Sequence, residues 1–145
     1  MQATDPAEWL ADLILAHLSQ LTAQATAHAR AQVPWYQAQP EARIHNLLAG
    51  DYRALAVALR ANDIPGLRVH VERVTQDCIR SGAPAIELIQ VAELVEAEVR
   101  ILIEADLTEN SALAADAMRR MQTLTKNIRM IISAINLRLL TNLPL

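Results

Sequence analysis

The sequence contains few of the residues on which cross-linked or phosphate-binding proteins depend. Its single cysteine, Cys78, excludes an internal disulfide framework and a cysteine-based zinc site. Its three glycines, Gly50, Gly66 and Gly82, form neither a Walker A motif nor a dinucleotide-binding pattern, and no G-x-S-x-G motif is present. Phenylalanine is absent and aromatic residues make up only 3% of the chain, so the core must be mainly aliphatic.

A strong charge and long hydrophobic runs are missing as well. The formal net charge is −3 and the pI is about 5.8, so no basic surface for nucleic acid is expected. The N-terminus lacks a basic segment followed by an apolar one, which argues against a signal peptide. Polar residues interrupt the uncharged segment 13–29, whereas a membrane span needs about 20 mostly apolar residues. A soluble cytoplasmic protein is therefore predicted.

What is present is the composition and patterning of one helical domain. The 145 residues are 52% apolar and 20% charged, as in a globular protein with its own core, so we expect a single domain over 1–145. No segment alternates with a period of two for long enough to indicate a strand. The predicted fold is all-α and about 80% helical, well above the usual third. We expect about five helices, with approximate bounds 5–31, 41–62, 63–82, 84–106 and 111–142.

Several residues mark where these helices begin and end. Thr4 or Asp5 is the predicted cap of the first helix, and Pro34 should end it. A kink or a short break is expected at Gly50-Asp51. Gly82 should supply the left-handed residue that stops the third helix. Two connectors are expected, at Val33–Gln39 and Leu107–Asn110.

The closing helix, from Ser111 to Asn142, organises the chain. One wide face carries apolar residues at steps of three, four and seven: Ala117, Met121, Leu124, Ile128, Ile131, Ile132, Ile135 and Leu139. The opposite face begins with Arg119 and Lys126, as a solvated face should. Beyond Lys126 it becomes apolar, at Met130, Ser133, Leu137 and Leu140. Since a monomer has only one core, we predict that this second face forms a homodimer.

The four histidines do not have the spacing of a metal site. His17 and His28 share a predicted helix face, but eleven residues of helix separate them by roughly 16 Å. No H-x-x-x-H or Glu-x-x-His pair supplies two ligands from one face, although His45 and His70 could meet in space. Glutamates of the fourth helix lie four residues from Arg100, which is typical of surface ion pairs. We expect no metal, no cofactor and no catalytic site.

A set of polar-tipped side chains is directed, by periodicity, toward the aliphatic interior. These side chains could orient a small apolar ligand in a cavity between the first helices. Alternatively, they only hydrogen-bond to neighbouring groups in a filled core, as buried Tyr, Trp and His usually do. The sequence leaves both interpretations open. The residues concerned are His17, His28, His45, Tyr52, Trp35 and Tyr36.

Three short stretches resemble a known family. They are Tyr36 with Pro40-Glu41, the segment Leu59-Arg60-Ala61-Asn62-Asp63, and Arg80-Ser81-Gly82 ahead of an acidic-aliphatic helix. In this order they resemble the N-terminal domains of RsbR-type and RsbRD-type stressosome proteins, over about Val33 to Ile103. The resemblance implies a dimeric, non-haem, globin-like sensor domain whose last helix leads to a STAS domain that works with a partner-switching kinase. It implies no catalytic residues. The sequence ends at Leu145 without a STAS domain, so a fragment and a solitary sensor are both open.

The implied globin-like fold brings haem into consideration. A haem pocket needs a proximal histidine on an inner face and usually aromatic packing. The sequence has no phenylalanine, and none of its histidines lies on the fourth or the closing helix, so we expect a colourless, non-haem protein. The leading hypothesis is a sensor domain for stress signalling. The alternatives are a ligand-free structural dimerisation module and, more distantly, a metal- or haem-binding helical protein.

Overall fold

The computed structural model describes residues 5–105 and 111–141. These residues are 92% helical and contain no strand, which confirms the all-α prediction. Within these ranges the chain forms seven helices: α1 Pro6–Ala16, α2 Leu18–Gln32, α3 Pro34–Ala38, α4 Glu41–Ala61, α5 Ile64–Arg80, α6 Ala85–Ala105 and α7 Ser111–Thr141.

The ends of several helices follow directly from the sequence. Asp5 caps α1 by accepting a hydrogen bond from the Glu8 amide, at 3.1 Å. Asn62 ends α4 in the left-handed conformation, with φ of 51°. The next residue, Asp63, caps α5. Gly82, with φ of 102°, follows α5 at the predicted stop. The predicted positions of these caps and stops are therefore confirmed, whereas Thr4 lies outside the described residues.

The expected count of five helices was wrong for two local reasons. The first predicted helix is divided at His17, whose φ of −116° and ψ of 23° are not helical. The His17 ring lies 3.0 Å from the Leu13 carbonyl through Nδ1, and the chain restarts as α2 at Leu18. The predicted connector 33–39 contains one short helix, α3, because Pro34 has a backbone φ suited to a first helical position.

Of the kink or short break expected at Gly50-Asp51, the break is absent. The helix α4 continues through this point to Ala61. Gly50 is half-buried near His70, and Asp51 is held by that same histidine, so tertiary contacts offset the low helix propensity of the pair. The predicted link Leu107–Asn110 and the predicted helix end at Asn142 lie outside the described residues.

The helices pack so that α4 and α7 lie on two sides of the interior. The helices α1 and α2 pack on α4, whereas α6 packs on α7. Both α1 and α5 contact α4 as well as α7, and therefore bridge them. Ion pairs at the surface also join neighbouring helices: Arg60 of α4 pairs with Asp12 of α1, and Arg129 of α7 lies 3.3 Å from Glu93 of α6. This arrangement leaves space between α4 and α7.

The buried surface is almost entirely aliphatic, as the composition requires. Each long helix turns one apolar stripe inward, with Leu48 and Leu55 on α4 and Val95 and Val99 on α6 as examples. None of the helices in the described ranges is both long and apolar enough to cross a membrane.

Candidate ligand cavity and exposed helix face

A cavity of about 60 Å³ lies between α4, α5, α6 and α7, and we refer to it as the inner cavity. Most of its wall is aliphatic. At this volume it holds roughly four to six water molecules, or a guest of similar size. Its polar lining residues are Tyr36, Asp51, His70, Thr75 and Thr125.

Asp51 and His70 form one edge of the inner cavity. The His70 Nε2 lies 2.9 Å from Asp51 Oδ1, and an amino group of Arg73 lies 3.4 Å from His70 Nδ1. Since a guanidinium can only donate hydrogen bonds, Nδ1 accepts and Nε2–H donates to Asp51. The second carboxylate oxygen, Asp51 Oδ2, has no hydrogen-bond partner among the described residues.

Burial controls the electrostatics of this edge. It raises the pKa of the Asp51 carboxyl above its ordinary value, and the hydrogen bond from His70 opposes this rise. Burial also raises the pKa of the Tyr36 phenol, and the nearby Asp51 adds to that rise. The phenol of Tyr36 is therefore neutral, and Asp51 is the one acidic side chain on the wall of the inner cavity.

Two hydroxyl groups on the wall have no protein partner. Tyr36 and Thr75 are only 5% and 3% exposed, and neither side-chain hydroxyl makes a hydrogen bond to a described residue. By contrast, Thr125 donates to the carbonyl of Met121 at 3.0 Å. Both residues line the inner cavity, so a guest or a water there is able to form hydrogen bonds with these hydroxyls.

Trp35 holds Tyr36 in place at the cavity wall. The Trp35 amide donates to the carboxylate of Glu87 at 2.8 Å, and its indole N–H donates to the Ser81 carbonyl at 3.4 Å. The two aromatic rings meet edge to face, 5.2 Å apart, and Arg43 lies over the Trp35 ring. The short helix α3 is thus anchored to α6 and to the end of α5.

The structure brings together only part of the predicted cavity set. Tyr36 lines the inner cavity. Trp35 contacts Tyr36 but does not line the cavity, and neither does Tyr52, which is fully buried with its hydroxyl 3.5 Å from the Val95 carbonyl. His17, His28 and His45 do not line it, which corrects their expected placement.

Each of these three histidines has a local reason for its position. The break at His17 rotates α2 relative to α1, so the periodicity assumed for one continuous helix does not hold across it. His28 pairs from the surface with the buried carboxylate of Glu98 on α6. His45 follows the buried Ile44 and is exposed on the outer side of α4. Ligand binding by this set stays a prediction.

Three residues that the sequence reasoning missed share a recognisable signal. Asp51, Thr75 and Thr125 each occupy a position in the buried stripe of its helix. Asp51 lies seven residues after Ile44 on α4, and Thr75 lies four residues after Val71 on α5. A polar residue within an otherwise apolar stripe could therefore have indicated a polar-lined cavity.

A surface groove between α4 and α5 adjoins the inner cavity. His70 and Val74 line both of them. The two spaces therefore adjoin at these side chains, and His70 is itself partly exposed. The groove is also lined by Arg43, Asn46, Leu47, Gly50, Arg73 and Asp77.

Other titratable groups do not assemble into a reactive centre in the described part of the chain. No group of three His, Cys, Asp or Glu side chains is placed there to hold a metal ion. Cys78 is buried, and this burial raises the pKa of its thiol to about 11. At neutral pH the thiol is therefore protonated and a poor nucleophile.

The face of α7 opposite the core is apolar and exposed at its C-terminal half. Met130, Leu137 and Leu140 are 60%, 63% and 58% exposed, and Ser133 is exposed between them. We call these four residues the α7 outer face. Their exposure agrees with the predicted position of a dimer contact, and the homodimer itself stays a prediction.

The function of this chain has to be argued from the inner cavity and the α7 outer face, because a fold alone does not determine a function. These two features share α7, which contributes Met121, Thr125, Ile128 and Ile132 to the cavity wall. The chain matches no protein-family model, no curated protein and no solved structure.

Proposed function

We propose that this chain is a non-enzymatic, dimeric regulatory sensor domain, in which occupancy of the inner cavity changes how α7 contacts a partner. The observation that supports it most directly is the double role of α7. Thr125, Ile128 and Ile132 of this helix line the inner cavity, and the α7 outer face begins at Met130 on the other side. Cavity and exposed face thus overlap along the same turns.

A rigid helix is a suitable element for this coupling. The 31 residues of α7 span about 46 Å, so a small rotation imposed at the cavity displaces side chains at the far end. A ligand that binds one rotational position more tightly than another would shift the population toward it. The α7 outer face would then change its position relative to the partner helix.

The remaining parts of the proposal come from the family resemblance. We propose a globin-like arrangement of the helices, a cytoplasmic location, and an output through a STAS-type domain or protein that works with a partner-switching kinase. The stretches that support this are Tyr36 with Pro40-Glu41, Leu59–Asp63 and Arg80–Gly82.

The experiment that tests the coupling fills the inner cavity without a ligand. Ala92 lines the inner cavity on α6, so Ala92→Val adds volume there. Ala97→Val is the matched control, because Ala97 is equally half-buried on α6 but lies outside the inner cavity. We expect Ala92→Val to change the dimer dissociation constant about fivefold or more, and Ala97→Val to leave it unchanged. Sedimentation equilibrium measures all three proteins.

Equal dissociation constants for the three proteins would contradict the sensor proposal and favour the second candidate, a ligand-free structural dimerisation module. One observation supports that candidate specifically. The inner cavity of about 60 Å³ is far smaller than the roughly 300–1,000 Å³ of typical small-molecule sites. A wild-type protein that stays monomeric at tens of micromolar would contradict both candidates.

A further inference from the structure

Three oxygen atoms on the wall of the inner cavity lack a hydrogen-bond partner among the described residues. They are Asp51 Oδ2 and the side-chain hydroxyls of Tyr36 and Thr75. All three can accept a hydrogen bond. The one basic group on the wall, the imidazole of His70, already donates its N–H to Asp51 Oδ1. The inner cavity therefore offers acceptors and one negative charge to a guest.

We propose that the inner cavity binds a short primary aliphatic amine in its ammonium form. The three N–H donors of the ammonium match the three free acceptors, and its positive charge complements the carboxylate of Asp51. The alkyl chain would contact the aliphatic wall, including Val91 and Val95 of α6. This inference rests on the proposed sensor function, for which it names the class of ligand.

The volume of the inner cavity sets the length of the alkyl chain. A space of about 60 Å³ holds roughly four to six water-sized groups. Propylamine, with three carbons and one nitrogen, has a suitable size, whereas a long-chain or aromatic amine does not fit.

The charge of the site discriminates between small molecules of equal size. A carboxylate of the same length would be repelled by Asp51, and an alcohol would supply one donor and no charge. The basic groups near Asp51 are His70, which contacts only Oδ1, and Arg73, which is directed at His70 Nδ1. An ammonium is therefore the small guest that offsets the charge of Asp51 most directly.

Access to the inner cavity is provided by the groove between α4 and α5. His70 and Val74 line both spaces, so the path from the surface passes these two side chains. An amine arriving by this path meets His70 and then Asp51, the acceptor of its hydrogen bond.

The test compares propylamine, 1-propanol and propionate as probes of the isotope-labelled protein by heteronuclear NMR titration at pH 7.5 and equal ionic strength. We expect propylamine to bind at least tenfold more tightly than 1-propanol, with shifts centred on Asp51, Thr75 and Thr125. Propionate should not bind. In Asp51→Asn, propylamine affinity should fall to the level of 1-propanol.

A matched pair of threonine variants checks the second acceptor. Thr75→Val should weaken propylamine binding severalfold. Thr22→Val should not, because Thr22 is equally buried and its hydroxyl also lacks a partner, but it does not line the inner cavity. The inference is overturned if 1-propanol or propionate matches propylamine in the wild type, a comparison that needs no variant to fold.

The outcome also separates this inference from the proposed function. If propylamine binds as expected but leaves the dimer dissociation constant unchanged, the ligand class stands and the sensor proposal fails. If Ala92→Val changes the dimer dissociation constant but the protein binds the three probes with equal affinity, the sensor proposal stands and the ligand class is wrong.

Discussion

Asp51 is a carboxylate at a position where the inward stripe of α4 is otherwise apolar, between Leu48 and Leu55. Burying a carboxylate is unfavourable unless hydrogen bonds replace its lost hydration. His70 supplies one such bond to Oδ1, and the side chain, which is 30% exposed, keeps part of its hydration. Burial raises the pKa of the Asp51 carboxyl, so its ionised form is less favourable in the fold than in water, while this group is also the acidic residue of the inner cavity. This is the usual conflict between stability and a functional site.

The pKa of Asp51 leads to a prediction about stability and pH. Because its pKa is raised in the folded state, the folded protein binds more protons than the unfolded chain above the ordinary value of 3.8. The stability that this group contributes is fully present below pH 3.8 and is lost as the pH rises through the pKa of Asp51 in the folded state. The asparagine in Asp51→Asn does not titrate, so the free energy of unfolding of this variant, relative to the wild type, should increase from pH 4 to pH 7. Urea unfolding followed by circular dichroism measures this difference.

The same substitution can also be compared in a protein that lacks His70. His70 lowers the pKa of Asp51, so the effect of Asp51→Asn should depend on pH more steeply in a His70→Gln protein. Each unit of pKa corresponds to about 1.4 kcal/mol, so the measured difference reports the size of the shift. A difference between Asp51→Asn and the wild type that is flat, or that decreases with pH, would contradict a buried and destabilised carboxylate.

At the scale of the helices, the corner between α4 and α5 depends on one backbone conformation. Asn62 has a φ of 51° and a ψ of 41°, which side chains other than Asn and Asp rarely adopt. Its amide, like that of Asp63, donates to the carbonyl of Ala58 and closes the helix. Asn62 is exposed, so substitutions there change the backbone preference without removing core packing.

This geometry gives opposite results for two small residues. Asn62→Gly should leave the free energy of unfolding unchanged or slightly increased, because glycine adopts a positive φ freely. Asn62→Ala should lower it by about 1–2 kcal/mol. The control is Ala61→Gly, one residue earlier in the last turn of α4, where glycine should cost roughly 0.5–1 kcal/mol. Equal effects of the two Asn62 substitutions in urea unfolding would show that the left-handed conformation is not required.

Local signals in the sequence account for most of the helix boundaries. The capping residue Asp5, Gly82 and the period of the apolar residues are short-range features, and they predicted the start of α1 and the bounds of α5, α6 and α7 closely. The break at His17 was not predictable, because neither glycine nor proline marks it. The helix α3 was missed for a related reason, since a five-residue helix leaves no periodic pattern. The continuity of α4 through Gly50-Asp51 was not predictable either, because Asp51 contacts His70 of α5, which is remote in sequence.

At the scale of the molecule, the location of the inner cavity could not have been obtained from periodicity. Periodicity shows which face of a helix is buried, but not which other helix that face meets. The prediction placed the polar-tipped residues between the first helices, whereas the inner cavity lies between α4, α5, α6 and α7. The α7 outer face was easier to predict, because its apolar residues lie opposite a complete core stripe on the same helix. Exposure at Met130 and Leu137 agrees with that analysis.

The assembly of two copies through the α7 outer face gives the last prediction. Leu137 lies near the middle of this face and is 63% exposed, so Leu137→Lys adds charge without disturbing the core. In a two-fold symmetric contact every residue occurs twice, and the two new charges would face each other across an apolar interface. Burying a leucine side chain contributes about 1.5–3 kcal/mol, so its replacement should weaken the dimer at least tenfold.

Val69→Lys is the matched control for this substitution, because Val69 on α5 is 64% exposed and is not part of the α7 outer face. It should leave both the dimer and the helical circular dichroism signal unchanged, and Leu137→Lys should preserve the helical signal as well. Light scattering after size exclusion at several protein concentrations separates the two variants. If both lysine variants weaken the dimer equally, the added charge and not its position causes the effect, and the contact does not lie on the α7 outer face. A dimer weakened by Leu137→Lys alone would identify α7 as the helix that joins the inner cavity to the partner.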